Sequence, residues 1–167
     1  MASAHDWADG FARQADADFR AWELYELHSE ALAAPKLLFL QMACEKLCKA
    51  HMIRSGTNPD DVATTHRVVA KNLPLVIREE MIWRKSDAKA IKNIMRHLRH
   101  LAQEIEYLNP AIKREGQRPD NCEYPWETSG TIVSPLDWSF SPLQLCFEPS
   151  GRTFLKLLRC ALNRNLP

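Results

Sequence analysis

Residues 87–112 read DAKAIKNIMRHLRHLAQEIEYLNPAI, and the fold turns on their spacing. Ile91, Ile94, Leu98, Leu101, Ile105, Leu108 and Ile112 recur three and four apart, the rhythm of an α-helix that buries one seam against other helices. At about 100° per residue, Lys89, Lys92, Arg96, His100, Gln103 and Tyr107 fall on the opposite side. One helix therefore carries a core seam and, across from it, a basic stripe with a histidine. Ser86 and Asp87 precede it as caps, and Pro110 predicts an end or bend near Asn109.

Working outward, the helical pattern repeats. Residues 6–33 contain no proline and no glycine after Gly10, and Trp7, Phe11, Ala15, Phe19 and Trp22 recur every three or four residues. Leu24, Leu27, Ala31 and Leu32 add a second apolar strip, which predicts contact with two neighbouring helices. Pro35 suits the first turn of a second helix that stops at Gly56. TNPDD at 57–61 reads as a turn, and Thr64 or Thr65 is the expected N-cap of a third helix, kinked or interrupted near Pro74.

Residues 113–149 hold five of the ten prolines, so no long helix fits. Yet Tyr124, Trp126, Trp138, Phe140 and Phe147 make the segment too aromatic for a disordered linker. An ordered irregular arm is expected there, with a small hairpin around TIVSPLDWSF at 131–140. Ser150 then caps a closing helix that turns Phe154, Leu157, Leu158 and Ala161 inward. The predicted fold is all-α, an antiparallel up-and-down four-helix bundle over 1–112, an arm at 113–149 and a short C-terminal helix at 150–165. At 167 residues these parts are expected to form one domain.

Composition bounds the function. Hydrophobic residues at 46% and charged ones at 26% are ordinary for a soluble globular chain, and no apolar run approaches the roughly 18 residues of a membrane span. MASAHDWADG lacks the basic and apolar regions of a signal peptide. Five cysteines without framework spacing are expected as reduced thiols in a cytoplasmic protein.

The net charge of +1 hides a split. Residues 1–34 carry seven acids against Arg13 and Arg20, a net of −5, whereas residues 84–118 carry nine bases against four acids, a net of +5. The plainer expectation is that the acidic first helix lies against the basic fourth and offsets it. The other is that the basic face meets phosphates.

Motifs for most chemistries are missing. Cys44, Cys48 and His51 share a helix face, but Leu37, Leu40 and Leu47 share it too, so no metal is expected. No Glu-x-x-His pair, glycine-rich phosphate loop or Gly-x-Ser-x-Gly occurs, and no cofactor is expected. His66, beside Thr64 and Thr65, reads as a capping or docking residue. Glu45, Lys46 and Lys49 read as a solvated or interface edge paired at i, i+4. Arg96-His97-Leu98-Arg99-His100 remains. Metal-independent RNA cleavage needs a base near neutrality for the 2′-hydroxyl and a cation for the phosphorane, and one turn carrying Arg96 and His100 supplies both kinds of group.

Helix two adds a resemblance. FLQMACEKLCKAHMIRSG, followed by Thr65-His66, resembles the HEPN family of small helical domains through Ala43, Glu45, Lys46, Lys49 and Ala50, then Thr65, His66 and Arg67. The resemblance covers about residues 8–112 and implies a helical bundle that dimerises. Many members are ribonucleases of toxin–antitoxin and defence systems, and others bind nucleotides or only scaffold. The ribonucleases carry an Arg and a His separated by four to six residues. No such pair occurs here, the nearest being Arg96 and His100 with three residues between them.

The expected function is accordingly a homodimer that binds nucleotide, RNA or a partner protein without full catalytic activity, using Lys89, Lys92, Arg96 and Arg99 with His100. A cognate antitoxin or a nucleotidyltransferase-type protein is a candidate partner, and no membrane is. One alternative is a metal-independent endoribonuclease with Arg96, His97 and His100 as its catalytic residues. Another is a purely structural interaction subunit that recognises its partner through the arm.

Overall fold

The computed structural model describes residues 2–28, 32–113 and 120–167. Glu30, Ala31, Arg114, Glu115, Arg118 and Pro119, which entered the sequence reading, lie outside the described residues. The described chain is mostly helical: seven α-helices and a two-stranded hairpin. None of these helices is long and apolar enough to cross a membrane.

Helix α1 (Ala4–Glu26) starts at a capping box, in which the Ser3 hydroxyl accepts from the Asp6 N–H and the Asp6 carboxylate accepts from the Ser3 N–H. It ends well before 33, at a cap on Leu27. Ala8, Ala12, Ala15, Phe19 and Trp22 form its buried stripe. The expected second strip does not pack: Leu24, Leu27 and Leu32 are 60%, 79% and 51% exposed, and Trp7 is exposed as well. α2 (Ala33–Arg54) ends as expected, with Gly56 at φ +98°. The Gly56 and Thr57 N–H groups donate to the Ile53 and Met52 carbonyls, a Schellman closure that a Cβ would strain. α2 is buried nearly all round, with Leu37, Leu40, Ala43, Cys44, Leu47, Cys48 and Ala50 in the core. It packs along α1 and against the helix at Val69–Trp83.

TNPDD is not a free turn. Asn58 caps Asp60, Pro59 takes the first helical position, and a short helix α3 (Pro59–Ala63) forms. Thr64 closes that helix instead of opening the next. α4 (Val69–Trp83) begins later than expected, at Val68 without a side-chain cap, and runs unbroken through Pro74. α5 (Ala88–Glu106) begins at the Asp87 carboxylate, which accepts from the Ala90 N–H at 2.8 Å, and packs along α4. Its seam behaves as read. Leu98, Leu101 and Ile105 are buried, Ile91 and Ile94 pack at the margin, and Leu108 and Ile112 stay buried beyond the helix end.

The arm is ordered where described. Asn121 is fully buried, its Oδ1 accepting from the Glu123 and Tyr124 N–H groups and its Nδ2 donating to the Tyr124 carbonyl. A hairpin pairs β1 (Trp126–Thr128) with β2 (Thr131–Val133), earlier than the 131–140 expected. Its two-residue turn puts Ser129 and Gly130 at φ +51° and +75°, the left-handed pair that a tight hairpin requires. A 3₁₀ turn (Pro135–Asp137) and an unforeseen short helix α6 (Ser141–Phe147) follow, Pro142 sitting in the first turn of α6 where its missing N–H costs nothing. α7 (Pro149–Asn165) starts at Glu148, so Ser150 lies within it, and buries Phe154, Leu157, Leu158 and Ala161. Gly151 allows the α6–α7 corner: a Cβ there would stand 2.0 Å from the Leu145 carbonyl oxygen. α7 packs against α1, α4, α5 and α6.

Candidate functional site

Between α4 and α5 runs an open groove of about 970 Å³. Lys71 and Arg78 enter it from α4, and Lys92, Arg96 and Arg99 from α5. Pro74, Leu75, Ile91 and Met95 give it an apolar floor, and no Asp or Glu among the described residues lines it. Lys71 and Arg78 are seven residues apart, as are Lys92 and Arg99. At about 1.5 Å per residue, each cationic edge is roughly 10 Å long. Among the described residues none of the five cations forms an ion pair or hydrogen bond with a protein group.

The α5 stripe divides in the structure. Lys92, Arg96 and Arg99 line the groove with Gln103, but Lys89 does not. His97 and His100 lie on the other side of α5, in a cleft of about 100 Å³ closed by Glu148, Ser150 and Gly151 at the start of α7. Arg96 borders both hollows. Both histidines are exposed, and neither hydrogen-bonds to a described residue. No described residue holds either ring in one orientation by a hydrogen bond.

The acids of α1 do not offset α5. Asp16 and Glu23 are held by Arg159 of α7, Asp9 by Arg54 and Asp18 by Lys46, both from α2. Glu26 is held by Lys36 at the start of α2. No ion pair joins α1 to α5 among the described residues, which removes the plainer reading of the charge split. Helix order explains it: α1 lies along α2 and against α7, and their cations reach its carboxylates first.

A second arrangement appears on α2, where a solvated edge was expected. Glu45 and Lys49 are buried, at 8% and 5% exposure. The Glu45 carboxylate accepts from Gln41 Nε2 at 2.8 Å, Lys49 Nζ at 2.9 Å and Asn109 Nδ2 at 3.0 Å, and lies 3.1 Å from His66 Nδ1. Lys49 also donates to the Ala63 carbonyl. Burial alone would raise the Glu45 carboxyl. The hydrogen bonds from Lys49 and Gln41, with the positive charge of Lys49, outweigh it and hold the group below its ordinary range. Glu123, on the arm, is pushed up by burial and by the charge of Glu45.

This geometry fixes a tautomer. Asn109 Oδ1 accepts from the Ala111 N–H, so its Nδ2 must face Glu45. Beside an ionised Glu45, His66 Nδ1 carries its hydrogen and donates, which leaves Nε2 as the ring's acceptor. His66 caps no helix. It docks on α2, with 44% of its side chain exposed. Lys46 alone of the three stays at a partly solvated edge. The Gln41–Glu45–Lys49 spacing was the available signal, but it reads equally as a surface ladder.

Cys44 and Cys48 are buried in the core, and burial raises both thiols well above their usual range. Among the described residues no three His, Cys, Asp or Glu side chains come together as metal ligands. No protein-family model matches the chain, and no curated protein or solved structure does either.

Proposed function

We propose that this chain is an HEPN-like helical-bundle protein, homodimeric as that resemblance implies, that binds single-stranded RNA along the α4–α5 groove. One observation carries the reading: five cations from two helices converge on one groove without a carboxylate partner among the described residues, while the cations beside α1 are neutralised. A nucleic-acid strand carries condensed counterions, and unpaired Lys and Arg side chains that neutralise its phosphates release them, which drives binding. A cationic edge of roughly 10 Å is longer than one phosphate group, and two such edges carrying five cations can hold several phosphates of one strand. That favours a strand over a mononucleotide. The resemblance of helix two to HEPN domains is what selects RNA among phosphate chains.

The test is fluorescence anisotropy with a labelled single-stranded RNA at several salt concentrations. Five phosphate contacts give a slope of log affinity on log salt near −3.5, at about −0.7 per contact. An Arg78→Ala/Arg96→Ala/Arg99→Ala variant flattens it by about 2. No binding at low salt, or an unchanged slope in the variant, would overturn the proposal. A single-stranded DNA of the same sequence and ATP serve as comparisons; tighter binding of either would reassign the ligand.

A further inference from the structure

The five cysteines are placed unequally. Cys44, Cys48, Cys122 and Cys146 are buried, and burial pushes their thiols up, which keeps them protonated and out of reach. Cys160, on α7, is only partly covered. Arg84, the residue that closes α4, donates from Nη1 to the Cys160 Sγ at 3.1 Å. The two lie 76 residues apart in the chain, and the packing of α4 on α7 brings them together.

One turn back on α4 is Glu80, whose side chain is 1% exposed. Its two oxygens differ. Oε2 accepts at 2.7 Å from Nε of Arg164, which stands one turn beyond Cys160 on α7. Oε1 is buried and accepts no hydrogen bond from a described residue. Arg84 Nη1, the atom that already meets the sulfur, stands 3.7 Å from it. A buried acceptor without a donor is destabilising, so such an oxygen marks a place where a donor is missing. Two guanidinium groups against one carboxylate leave the cluster with a single positive charge, which a thiolate at Cys160 would balance. The sulfur and the unfilled acceptor thus face the same guanidinium nitrogen.

We propose that Cys160 is a modification site for hydrogen peroxide and small hydroperoxides, forming a sulfenic acid whose hydroxyl donates to Glu80 Oε1. The inference goes beyond the RNA-binding reading and does not depend on it. Reactive cysteines lie in partly exposed, electropositive surroundings, because the thiolate is the nucleophile. In the step, Cys160 gives its proton to solvent and its sulfur attacks one peroxide oxygen. The S–O bond forms and the O–O bond breaks, its electron pair leaving with the second oxygen. That oxygen departs as hydroxide, or as an alkoxide from an organic hydroperoxide, and takes up a proton. Sulfur is oxidised by two electrons and the peroxide is reduced by the same two. The new hydroxyl supplies the donor that Oε1 lacks. With the other four thiols buried, the product persists until an external thiol reduces it.

The experiment treats the reduced full chain with hydrogen peroxide at pH 7, traps sulfenic acid with dimedone, and locates the adduct by mass spectrometry. Wild type is expected to take one adduct, at Cys160, at least about 10-fold faster than glutathione, since an ordinary thiol is only a few per cent thiolate at that pH. Cys160→Ser should take none. Arg84→Gln should bring the rate down to that of glutathione, with its circular dichroism unchanged because Arg84 is exposed at a helix end. A cysteine that is merely accessible would react equally fast in that variant. Without the trap, peroxide-treated wild type should unfold at a urea midpoint no lower than that of the reduced chain. A lowered midpoint would mean that the new hydroxyl finds no acceptor, and would remove Glu80 from the proposal. Adducts on the buried cysteines, a wild-type rate no faster than that of glutathione, or an unchanged rate in folded Arg84→Gln would each overturn it.

Discussion

Lys49 and Arg96 are both cations on long helices, yet Lys49 is buried against Glu45 while Arg96 stands in an open groove that no described carboxylate lines. The same contrast holds for the regions around them. Beside α2, every charge of the Glu45 junction is matched by a partner, and the matching fixes a histidine ring. Between α4 and α5, five cations have no matching carboxylate among the described residues. Paired charges set geometry and contribute to the fold; unpaired ones are available to a ligand. The two regions therefore teach different things about function from residues of the same kind.

The strongest way to break the comparison is to remove Glu45. Glu45→Ala leaves Lys49 buried with an uncompensated charge, and a loss of about 3–5 kcal/mol is expected in urea unfolding. An effect under about 1 kcal/mol would mean that the junction is not a buried ion pair. Its pH dependence follows in sign. A carboxyl held below its ordinary range contributes stability that is complete above that range and fades as pH falls through the lowered value. The stability gap between wild type and Glu45→Gln should therefore narrow below about pH 4. A constant gap would contradict the ionised state assigned to Glu45.

The groove should answer oppositely. Arg78→Ala/Arg96→Ala/Arg99→Ala is expected to flatten the salt dependence of RNA affinity as given above, while each exposed site changes stability by no more than about 0.5 kcal/mol. Between these lies the helix start shared by groove and seam: Asp87→Ala removes the cap on the Ala90 N–H and should cost about 1 kcal/mol in the same unfolding assay. The smallest effect is expected at Lys89, which the stripe includes and the groove omits. Lys89→Ala should leave RNA affinity and salt slope unchanged; a lowered slope would widen the site toward the helix start.

Much of the fold was legible because period and punctuation are local. The seam of α5, the Gly56 stop and the Asp87 cap each follow from a few adjacent residues and the geometry of one helix. The misses have local causes too. Asn58-Pro59 suits a turn and a helix start equally, and the Ser129-Gly130 pair closes a hairpin ahead of the one expected around TIVSPLDWSF. The second strip of α1 failed for another reason: apolar spacing shows that a face could be buried, and only a neighbour can bury it.

The candidate site was legible in its parts and not in its grouping. Lys92, Arg96 and Arg99 follow from the helical spacing of α5, but Lys71 and Arg78 join them only because α4 packs alongside. By itself the sequence determined which residues can be helical, which face of α5 is apolar and that its opposite face is basic, since these depend on the 3.6-residue turn alone. Tertiary structure decided the rest. It brought α2 and α7 to the acids of α1, left the groove cations without partners among the described residues, and set His66 against Glu45 across 21 residues of chain. Whether a charge is paired depends on which helices become neighbours, and no single helix carries that information.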